Sequence, residues 1–333
     1  MIFLYTFGPM KCLPVILMCL AAAVSCGGGP KGPSPVKTRA FPRVSAPAMI
    51  ESREEMVAFM AEHFWDAFMD TAKRWYSDSS IVNGVPVEEV ESAVGLYVTV
   101  IEGAPREVAA KGLGTLAARA CAAERADTSS TVLETMELLI RKYLYDPNSP
   151  LRDEDLFGAF ALALSGNDVL PEIRRAPYAR EASLCSLNSV GTRAADFPFT
   201  DSRDRQRTLY GIKADWTVLI FGNPLCGACK ELMEAMSADE GISALVKKGR
   251  VAVADIYIDE DLDEWRSSAS SYPREWINGY DHQYKIRTDL VYHVRAIPSM
   301  YILDRDKTVV MKDAPQEKIL EFLSEISENH GNN

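Results

Sequence analysis

The sequence of 333 residues has few of the histidine and cysteine side chains that usually hold a structural zinc ion. It contains seven cysteines and four histidines. The histidines are His63, His282, His293 and His330, which are widely spaced. A structural zinc site needs four ligands, commonly supplied as two closely spaced pairs. There is one Cys-x-x-Cys pair, Cys226 and Cys229, so we expect no metal ion and no other cofactor.

Positive charge is also scarce. The 36 lysines and arginines are outnumbered by 47 aspartates and glutamates, which gives a net charge of −11. No basic stripe or nucleic-acid-binding motif is present that could neutralise a phosphate backbone. The composition therefore argues against nucleic acid as a partner.

The N-terminal apolar run is too short for a confident transmembrane helix. Residues 10–26 combine a lysine, a short apolar core and small residues before a cysteine, which is typical of a secretory signal. We predict a signal peptide over residues 1–25 and a tether over 26–48, because the next residues are rich in glycine and proline. The remaining length suffices for two domains, over 49–187 and 188–333.

The segment 216–230 carries the clearest chemical signal. It reads WTVLIFGNPLCGACK, an apolar run, a turn and a helical pattern that opens at Cys226 and Cys229. A helix N-terminus favours a thiolate, and one helical turn keeps a second sulfur within bonding reach. We therefore predict that Cys226 is a nucleophile and that Cys229 is its resolving thiol. The same spacing is also compatible with a structural disulfide.

Together with the later segment 296–304 (AIPSMYILD), this motif resembles a thioredoxin-fold domain. The resemblance covers about residues 190–326 and implies that Pro298 is cis and lies beside Cys226. It also implies a substrate groove formed by Gly227, Ala228, Ile297 and Pro298. Without the resemblance, Pro298 reads as an ordinary strand-edge proline.

The order of elements in the second half fits this fold. We expect an N-terminal strand pair near 191–210, a buried parallel strand over 251–259, a closing hairpin over 301–312 and a terminal helix over 315–326. The aromatic-rich segment 264–281 reads either as a packed helix-loop unit or as a wall of the groove. The predicted fold class is α+β or α/β, with an all-helical N-terminal domain followed by a thioredoxin fold.

Some family residues are missing. The buried acid that thioredoxins carry six residues before the first cysteine is Ile220 here, and the glutamate of cytochrome-maturation relatives is Leu232. Leu225 and Ala228 replace the usual tryptophan and proline within the motif. The residues identify no proton-transferring carboxylate, and the peroxiredoxin pattern is absent.

Residues 52–186 have a helical pattern throughout. We predict helices over 56–76, from 86, over 105–123, over 131–145, over 153–164 and over 178–187, the first opened by a capping box at Ser52. This half resembles the helical region of unknown function that precedes thioredoxin-like domains in many bacterial lipoproteins. Cys121 and Cys185 are expected to be buried apolar residues, although a disulfide between them stays open.

The end of the signal, Ala23-Val24-Ser25-Cys26, resembles a bacterial lipobox. The resemblance implies lipidation of Cys26 and, with Gly27 following it, an outer-membrane protein that faces the periplasm. The alternative is a signal cleaved elsewhere, with no role for Cys26. The periplasm is an oxidising compartment, which lacks the cytosolic thiols that would keep a Cys-x-x-Cys pair reduced.

Two functions are compatible with these features. The first is a membrane-anchored thiol-disulfide oxidoreductase whose partners are protein thiols and disulfides of the cell envelope. The second is a binding module, in which the helical half recognises a partner and the CGAC cysteines form a stabilising disulfide. The CGAC motif together with Pro298 favours the oxidoreductase.

Overall fold

The computed structural model describes residues 38–331, with side chains through residue 328. The predicted signal peptide, Cys26 and most of the predicted tether lie outside the described residues. None of the helices in the described range is long and apolar enough to cross a lipid bilayer.

The first half is a helical bundle, as predicted. Its helices are α1 (Arg53–His63), α2 (Val87–Glu102), α3 (Arg106–Ala126), α4 (Val132–Ile140), α5 (Glu154–Ser165) and α6 (Glu172–Cys185), and a π-helical turn (Arg141–Tyr145) extends α4. The Ser52 hydroxyl caps α1 by accepting a hydrogen bond from the Glu55 amide at 3.0 Å. Large side chains such as Trp65 and Tyr97 fill a single apolar core.

Helix α1 ends at His63, earlier than the predicted Tyr76. The apolar period continues beyond His63, but the backbone leaves the helix. The carbonyl oxygen of Phe68 accepts hydrogen bonds from the side chains of Arg39, at 3.1 Å, and Asn83, at 2.5 Å. These two side chains bind a carbonyl oxygen that, in a longer helix, would accept a backbone hydrogen bond of the helix itself.

A small antiparallel hairpin interrupts the helices, so the prediction of a purely helical pattern was wrong here. Strands β1 (Ile81–Val82) and β2 (Val85–Pro86) are joined by Asn83 and Gly84, whose φ angles are 50° and 80°. An Asn-Gly pair favours a turn with two positive φ values. Helix α6 also starts earlier than predicted, at Glu172 after Pro171, and continues through Pro177.

The second half is built on a seven-stranded sheet in the order β4-β3-β7-β6-β5-β8-β9. Its strands are β3 (Pro198–Asp201), β4 (Gln206–Thr208), β5 (Trp216–Gly222), β6 (Val251–Tyr257), β7 (Ile277–Tyr280), β8 (Ser299–Leu303) and β9 (Val309–Lys312). The helices that accompany it are α7 (Gly227–Ala238), α8 (Glu240–Lys247), α9 (Leu262–Ser268) and α10 (Gln316–Gly331). The predicted strand pair, parallel strand, closing hairpin and terminal helix are all present.

Strand β7 was not predicted. It lies inside the aromatic-rich segment and pairs parallel with β6 and antiparallel with β3. Trp265 of α9 is buried against this strand and donates a hydrogen bond from its indole nitrogen to Asn278 Oδ1 at 2.9 Å. The segment therefore contributes a strand to the central sheet, which joins the N-terminal hairpin to the parallel core.

The chain between the two halves covers one edge of the sheet. The amide of Gly191 donates to the carbonyl of Val309, and the amide of Val309 donates to the carbonyl of Thr192, both at 2.8 Å. The outer side of β9 is thus paired by the connecting segment. At the opposite edge, β4 is three residues long.

Buried charges connect the two halves. The ammonium group of Lys312 on β9, whose side chain is 2% exposed, lies 2.8 Å from Asp155 Oδ1 and 3.5 Å from Glu154 Oε2 at the start of α5. Glu154, whose side chain is fully buried, also contacts His293 Nδ1 and lies 4.0 Å from Arg295 Nε. A carboxylate of the helical half therefore faces three basic groups of the sheet half.

Arg152 adds a second connection between the halves. Its guanidinium group donates to the carbonyl oxygens of Asp313 and Ala314, both at 2.8 Å. The Asp313 carboxylate accepts from Arg295 at 2.6 Å and from the Ser299 hydroxyl at 2.8 Å. These bonds tie the start of α5 to the ends of β8 and β9.

We predict that Glu154→Gln lowers the free energy of unfolding by about 3 kcal/mol, because removing one partner of a buried ion pair leaves the other charges uncompensated. Urea denaturation measures the loss. Glu62→Gln is the control, since its partner Lys111 is 67% exposed and an exposed pair contributes at most about 1 kcal/mol. Equal, small losses in both variants would contradict the assigned role of Glu154.

Candidate active site

Cys226 lies at the junction between β5 and α7. Its amide donates to the carbonyl of Asn223 at 3.0 Å, and the Asn223 side chain accepts from the amide of Leu225 at 2.8 Å. This turn places Cys226 as the N-cap of α7, where its Sγ accepts the amide of Cys229 at 3.2 Å. The side chain is half-buried. The sulfur therefore receives the free N–H group that a helix start offers to an anion.

The second predicted segment meets Cys226 at this point. The Ile297–Pro298 peptide bond is cis, and the carbonyl oxygen of Ile297 lies 3.7 Å from Cys226 Sγ. Gly227 and Ala228 are exposed on the first turn of α7, and Ile297 and Pro298 are half-buried. The structure thus brings the CGAC motif and the proline segment together.

Cys229 occupies a more enclosed position than Cys226. Its side chain is buried, and that burial raises the pKa of its thiol above the usual range. It lines a cavity of about 550 Å³ together with Asn223, Met233 and Tyr272. Cys226 and the predicted groove residues do not line this cavity. The two sulfurs therefore face different surroundings, with Cys226 toward the surface and Cys229 toward the cavity.

Asp255 is a site residue that the sequence analysis missed. It lies on β6, is 5% exposed and lines the same cavity as Cys229. Burial raises the pKa of its carboxyl group to about 7 from 3.8. A carboxyl group with this pKa can both accept and donate a proton near neutral pH.

The position of Asp255 explains the missing acid at Ile220. The two residues are partners in the parallel register of β5 and β6, so both side chains point toward the same face of the sheet. The carboxylate also lies over Gly222, where an added Cβ would be 2.9 Å from Asp255 Oδ1. The sequence signal for Asp255 is a single acid inside the apolar run 251–258. The run as a whole predicts a buried core strand.

The aromatic-rich segment packs into the core and also supplies part of the wall of this cavity, which is separate from the predicted groove. Tyr272 and Pro273 line the cavity, while Trp265 packs against Tyr280 in the core with ring centroids 4.9 Å apart. Burial raises the pKa of the Tyr272 hydroxyl, and the negative charges of Asp255 and the two thiols act in the same direction. Tyr272 therefore stays protonated and presents a hydroxyl to the cavity that contains Cys229 and Asp255.

One group among the described residues has the composition of a metal site. Glu154, Cys185 and His293 each place a ligand atom within 4.8 Å of the others. The ammonium of Lys312 lies 3.5 Å from Glu154 Oε2, and Arg295 approaches the same carboxylate. Protein cations already balance this negative charge, so a metal ion would meet electrostatic repulsion.

Cys121 and Cys185 have free thiols and are buried, so the disulfide left open between them is not formed. Burial raises the pKa of Cys121 to about 11, and it raises that of Cys185 further. Both behave as small apolar core residues, as expected.

Comparisons with known proteins agree with this architecture. Residues 21–188 match the family model described as Domain of unknown function (DUF5106). A crystal structure of a thioredoxin-like protein from Bacteroides caccae is 32% identical, with a TM-score of 0.75, and the match covers 86% of this chain and 98% of that one.

Two further matches each cover less than half of this chain. The C-terminal domain of an uncharacterised protein from Bacteroides fragilis is 38% identical over 42% of this chain and 99% of that chain, with a TM-score of 0.40. A domain of a possible thiol-disulfide isomerase from Cytophaga hutchinsonii is 21% identical over 44% of this chain and 99% of that one, with a TM-score of 0.36. The comparison with curated proteins gives no match.

The predicted resemblance is confirmed by the family match and by the Bacteroides caccae structure, which extends over both halves. The helical half corresponds to the domain of unknown function, and the sheet half has the thioredoxin-like fold. The chain therefore belongs to the DUF5106 family, as a member in which the helical domain precedes a thioredoxin-like domain.

Proposed function

We propose that this protein is a thiol-disulfide oxidoreductase that acts through Cys226 and Cys229 on disulfides of cell-envelope proteins. The observation that carries the proposal is the setting of Cys226. Its half-exposed sulfur accepts an amide hydrogen bond at the start of α7, beside the carbonyl of Ile297. A thiolate so placed is accessible to a substrate disulfide and is stabilised by the helix start.

In the reductive direction, the Cys226 thiolate attacks one sulfur of the substrate disulfide, and the other substrate sulfur leaves as a thiolate. The thiol of Cys229 then loses its proton and attacks the Cys226 sulfur, which releases the second substrate thiolate. The substrate gains two electrons, and the protein is left with a disulfide between Cys226 and Cys229. A dithiol protein of the envelope would have to reduce that disulfide before the next cycle.

Asp255 is assigned as the proton acceptor for Cys229. The resolving thiol is buried, so it needs a nearby base before it can attack. Asp255 lines the same cavity, and with a pKa of about 7 it is partly ionised near neutral pH. The cavity of about 550 Å³ gives the carboxyl group a route for exchanging its proton with water.

The location is also part of the proposal. Lipidation at Cys26 would attach the protein to the outer membrane, and the Gly/Pro-rich tether would hold the folded part away from the bilayer on the periplasmic side. A single acyl chain binds a membrane only marginally, whereas the several chains of a lipoprotein hold it firmly. Substrates would then be envelope proteins that reach this surface.

We predict that Cys229→Ser traps substrates. Attack by Cys226 remains, but resolution is blocked, so mixed disulfides with envelope proteins should accumulate on non-reducing gels. The double variant Cys226→Ser, Cys229→Ser is the control and should trap nothing. Trapping through Cys229 alone in Cys226→Ser, or no reduction of insulin by the unmodified protein, would contradict the assignment and favour a redox-inactive binding module.

We predict that Asp255→Asn slows resolution of the mixed disulfide about 100-fold, because a positioned base typically contributes this much to proton transfer. In the unmodified protein, the resolution rate should rise as the pH increases through about 7, because Asp255 ionises. In the variant, this rise with pH should be absent. Rapid acid quenching of single turnovers measures the rate. Glu231→Gln, an exposed carboxylate on α7, is the control and should keep both the rate and the pH step.

The same variant should gain stability. The folded-state pKa of about 7 lies above the value of 3.8 for an unperturbed carboxyl group, so folding favours the protonated form. The stability contributed by Asp255 is fully present below pH 3.8 and is lost as the pH rises through about 7. We expect Asp255→Asn to be more stable at about pH 8 by on the order of 2–4 kcal/mol, with little difference at about pH 4. Lower stability of the variant at both pH values would contradict the burial of an ionising group.

The anchor can be tested independently of the chemistry. Labelled palmitate should enter the unmodified protein in cells and should not enter Cys26→Ala. The variant should also move from the membrane fraction to the soluble fraction. Cys19→Ala is a matched control within the same segment and should label normally. Equal labelling of the unmodified protein and Cys26→Ala would rule out the lipid anchor.

A further inference from the structure

A second cavity, of about 430 Å³, lies beside the redox site. It is bordered by the β3–β4 hairpin on one side and by residues 269–278 on the other. Tyr272 and Pro273 line both this cavity and the one that contains Cys229 and Asp255. A group bound in the second cavity would therefore lie next to the cavity that contains Cys229 and Asp255.

The second cavity is positively charged. Four arginines line it: Arg203, Arg205, Arg207 and Arg274. Two carboxylates, those of Asp201 and Glu275, also line it, so four positive charges against two negative ones leave +2. The whole chain has a net charge of −11. The local charge is thus opposite in sign to that of the protein.

Asp201 organises the hairpin that presents these arginines. Its buried carboxylate accepts the backbone amides of Arg203 and Arg205 at 3.0 and 3.1 Å, and the Arg205 side chain at 2.9 Å. Arg207 lies 3.7 Å from the same carboxylate. Asp204 takes a φ of 56° at the tip of the turn. The charge of Asp201 is therefore engaged by arginines of its own hairpin.

Arg203 and Arg274 are different. Both are exposed, and within residues 38–328 no side chain forms an ion pair or a hydrogen bond with either guanidinium group. A guanidinium group offers five N–H donors in a planar fork that matches a carboxylate. These two arginines, one from each side of the cavity, are available to a ligand.

We propose that this cavity binds carboxylate groups of an acidic segment that flanks the disulfide of a polypeptide substrate. The inference rests on the proposed function, because it supplies the substrate class for the same redox site. Paired N–H donors of arginine hold a carboxylate in a fixed orientation. A polypeptide is favoured over a small disulfide, because Cys226 and the exposed residues Leu225, Gly227 and Ala228 lie outside both cavities. A substrate that occupies the second cavity and also reaches Cys226 must therefore extend over the surface between them.

The test compares three disulfides as substrates of the full-length protein. Two are cyclic peptides of otherwise identical sequence: one has Asp and Glu residues beside its disulfide, and the other has Asn and Gln at the same positions. The third is oxidised glutathione, a small disulfide that also carries carboxylates. The measured quantity is the second-order rate constant with which each disulfide oxidises the pre-reduced protein, for the unmodified protein and for Arg203→Gln, Arg274→Gln. The control variant is Arg53→Gln, Arg180→Gln, which removes the same charge at exposed positions outside the cavity lining.

We expect the unmodified protein to prefer the acidic peptide over the neutral one by about tenfold, since charges at the rim of an interface act mainly on the association rate. Raising NaCl from about 0.05 to about 0.5 M should shrink this preference through screening. The Arg203 and Arg274 variant should lose the preference, and the control variant should keep it. Equal rates for the two peptides, or a preference that survives in the cavity variant, would overturn the proposal.

Two further outcomes are decisive. If oxidised glutathione alone depends on Arg203 and Arg274, the carboxylates belong to a small disulfide and the polypeptide assignment is wrong. If no disulfide reacts, the proposed function fails, and the cavity is then judged by fluorescence anisotropy with a labelled acidic peptide in which serine replaces cysteine. Binding that requires Arg203 and Arg274 would support the cavity as a carboxylate site, and no binding would overturn it.

Discussion

The buried positive charge of Lys312, which carboxylates of the helical half compensate, connects the two halves of this structure. Lys312 ends the last strand of the sheet with a side chain that is 2% exposed, and its countercharges are Glu154 and Asp155 of the helical domain. Charges removed from water are tolerated only when they are paired and hydrogen-bonded. Because Glu154 also faces His293 and Arg295, which lie four and two residues before Ile297, the same carboxylate anchors the segment that lies against Cys226.

Features set by local chemistry could be predicted from the sequence. The capped start of α1, the buried strands β5 and β6 and the helix that opens at Cys226 follow from capping residues and apolar period. The thioredoxin arrangement of the sheet was expected from a resemblance. The early end of α1 could not be predicted, because the apolar period continues past His63, whereas the carbonyl of Phe68 is bound by the distant side chains of Arg39 and Asn83. The Asn83-Gly84 hairpin was readable as a turn signal and was overlooked within a helical pattern.

The candidate active site likewise has features that could be predicted from the sequence and features that could not. The two cysteines and the proline segment are marked by spacing, whereas Asp255 depends on which strand lies beside β5 and in which register. The space between the sheet and α7 can receive a carboxylate from β5 or from its neighbour β6. A proton acceptor can therefore occupy this space even when it comes from a different strand. A search that fixes the acid at a sequence offset from the cysteine, where Ile220 stands, misses it. The arginines of the second cavity likewise come from segments about 70 residues apart, which the pairing of β7 with β3 brings together.

The two edge strands of the sheet are covered or short, and this affects how copies of the protein would associate at high local concentration. An uncovered edge strand offers unpaired amides and carbonyls to a second molecule, which is a common start of aggregation. Here the connecting segment pairs with β9 through Gly191 and Thr192. The other edge strand, β4, is only three residues long and is flanked by charged Arg205. Neither edge presents a long, flat template, so crowded copies would be protected from joining sheet to sheet.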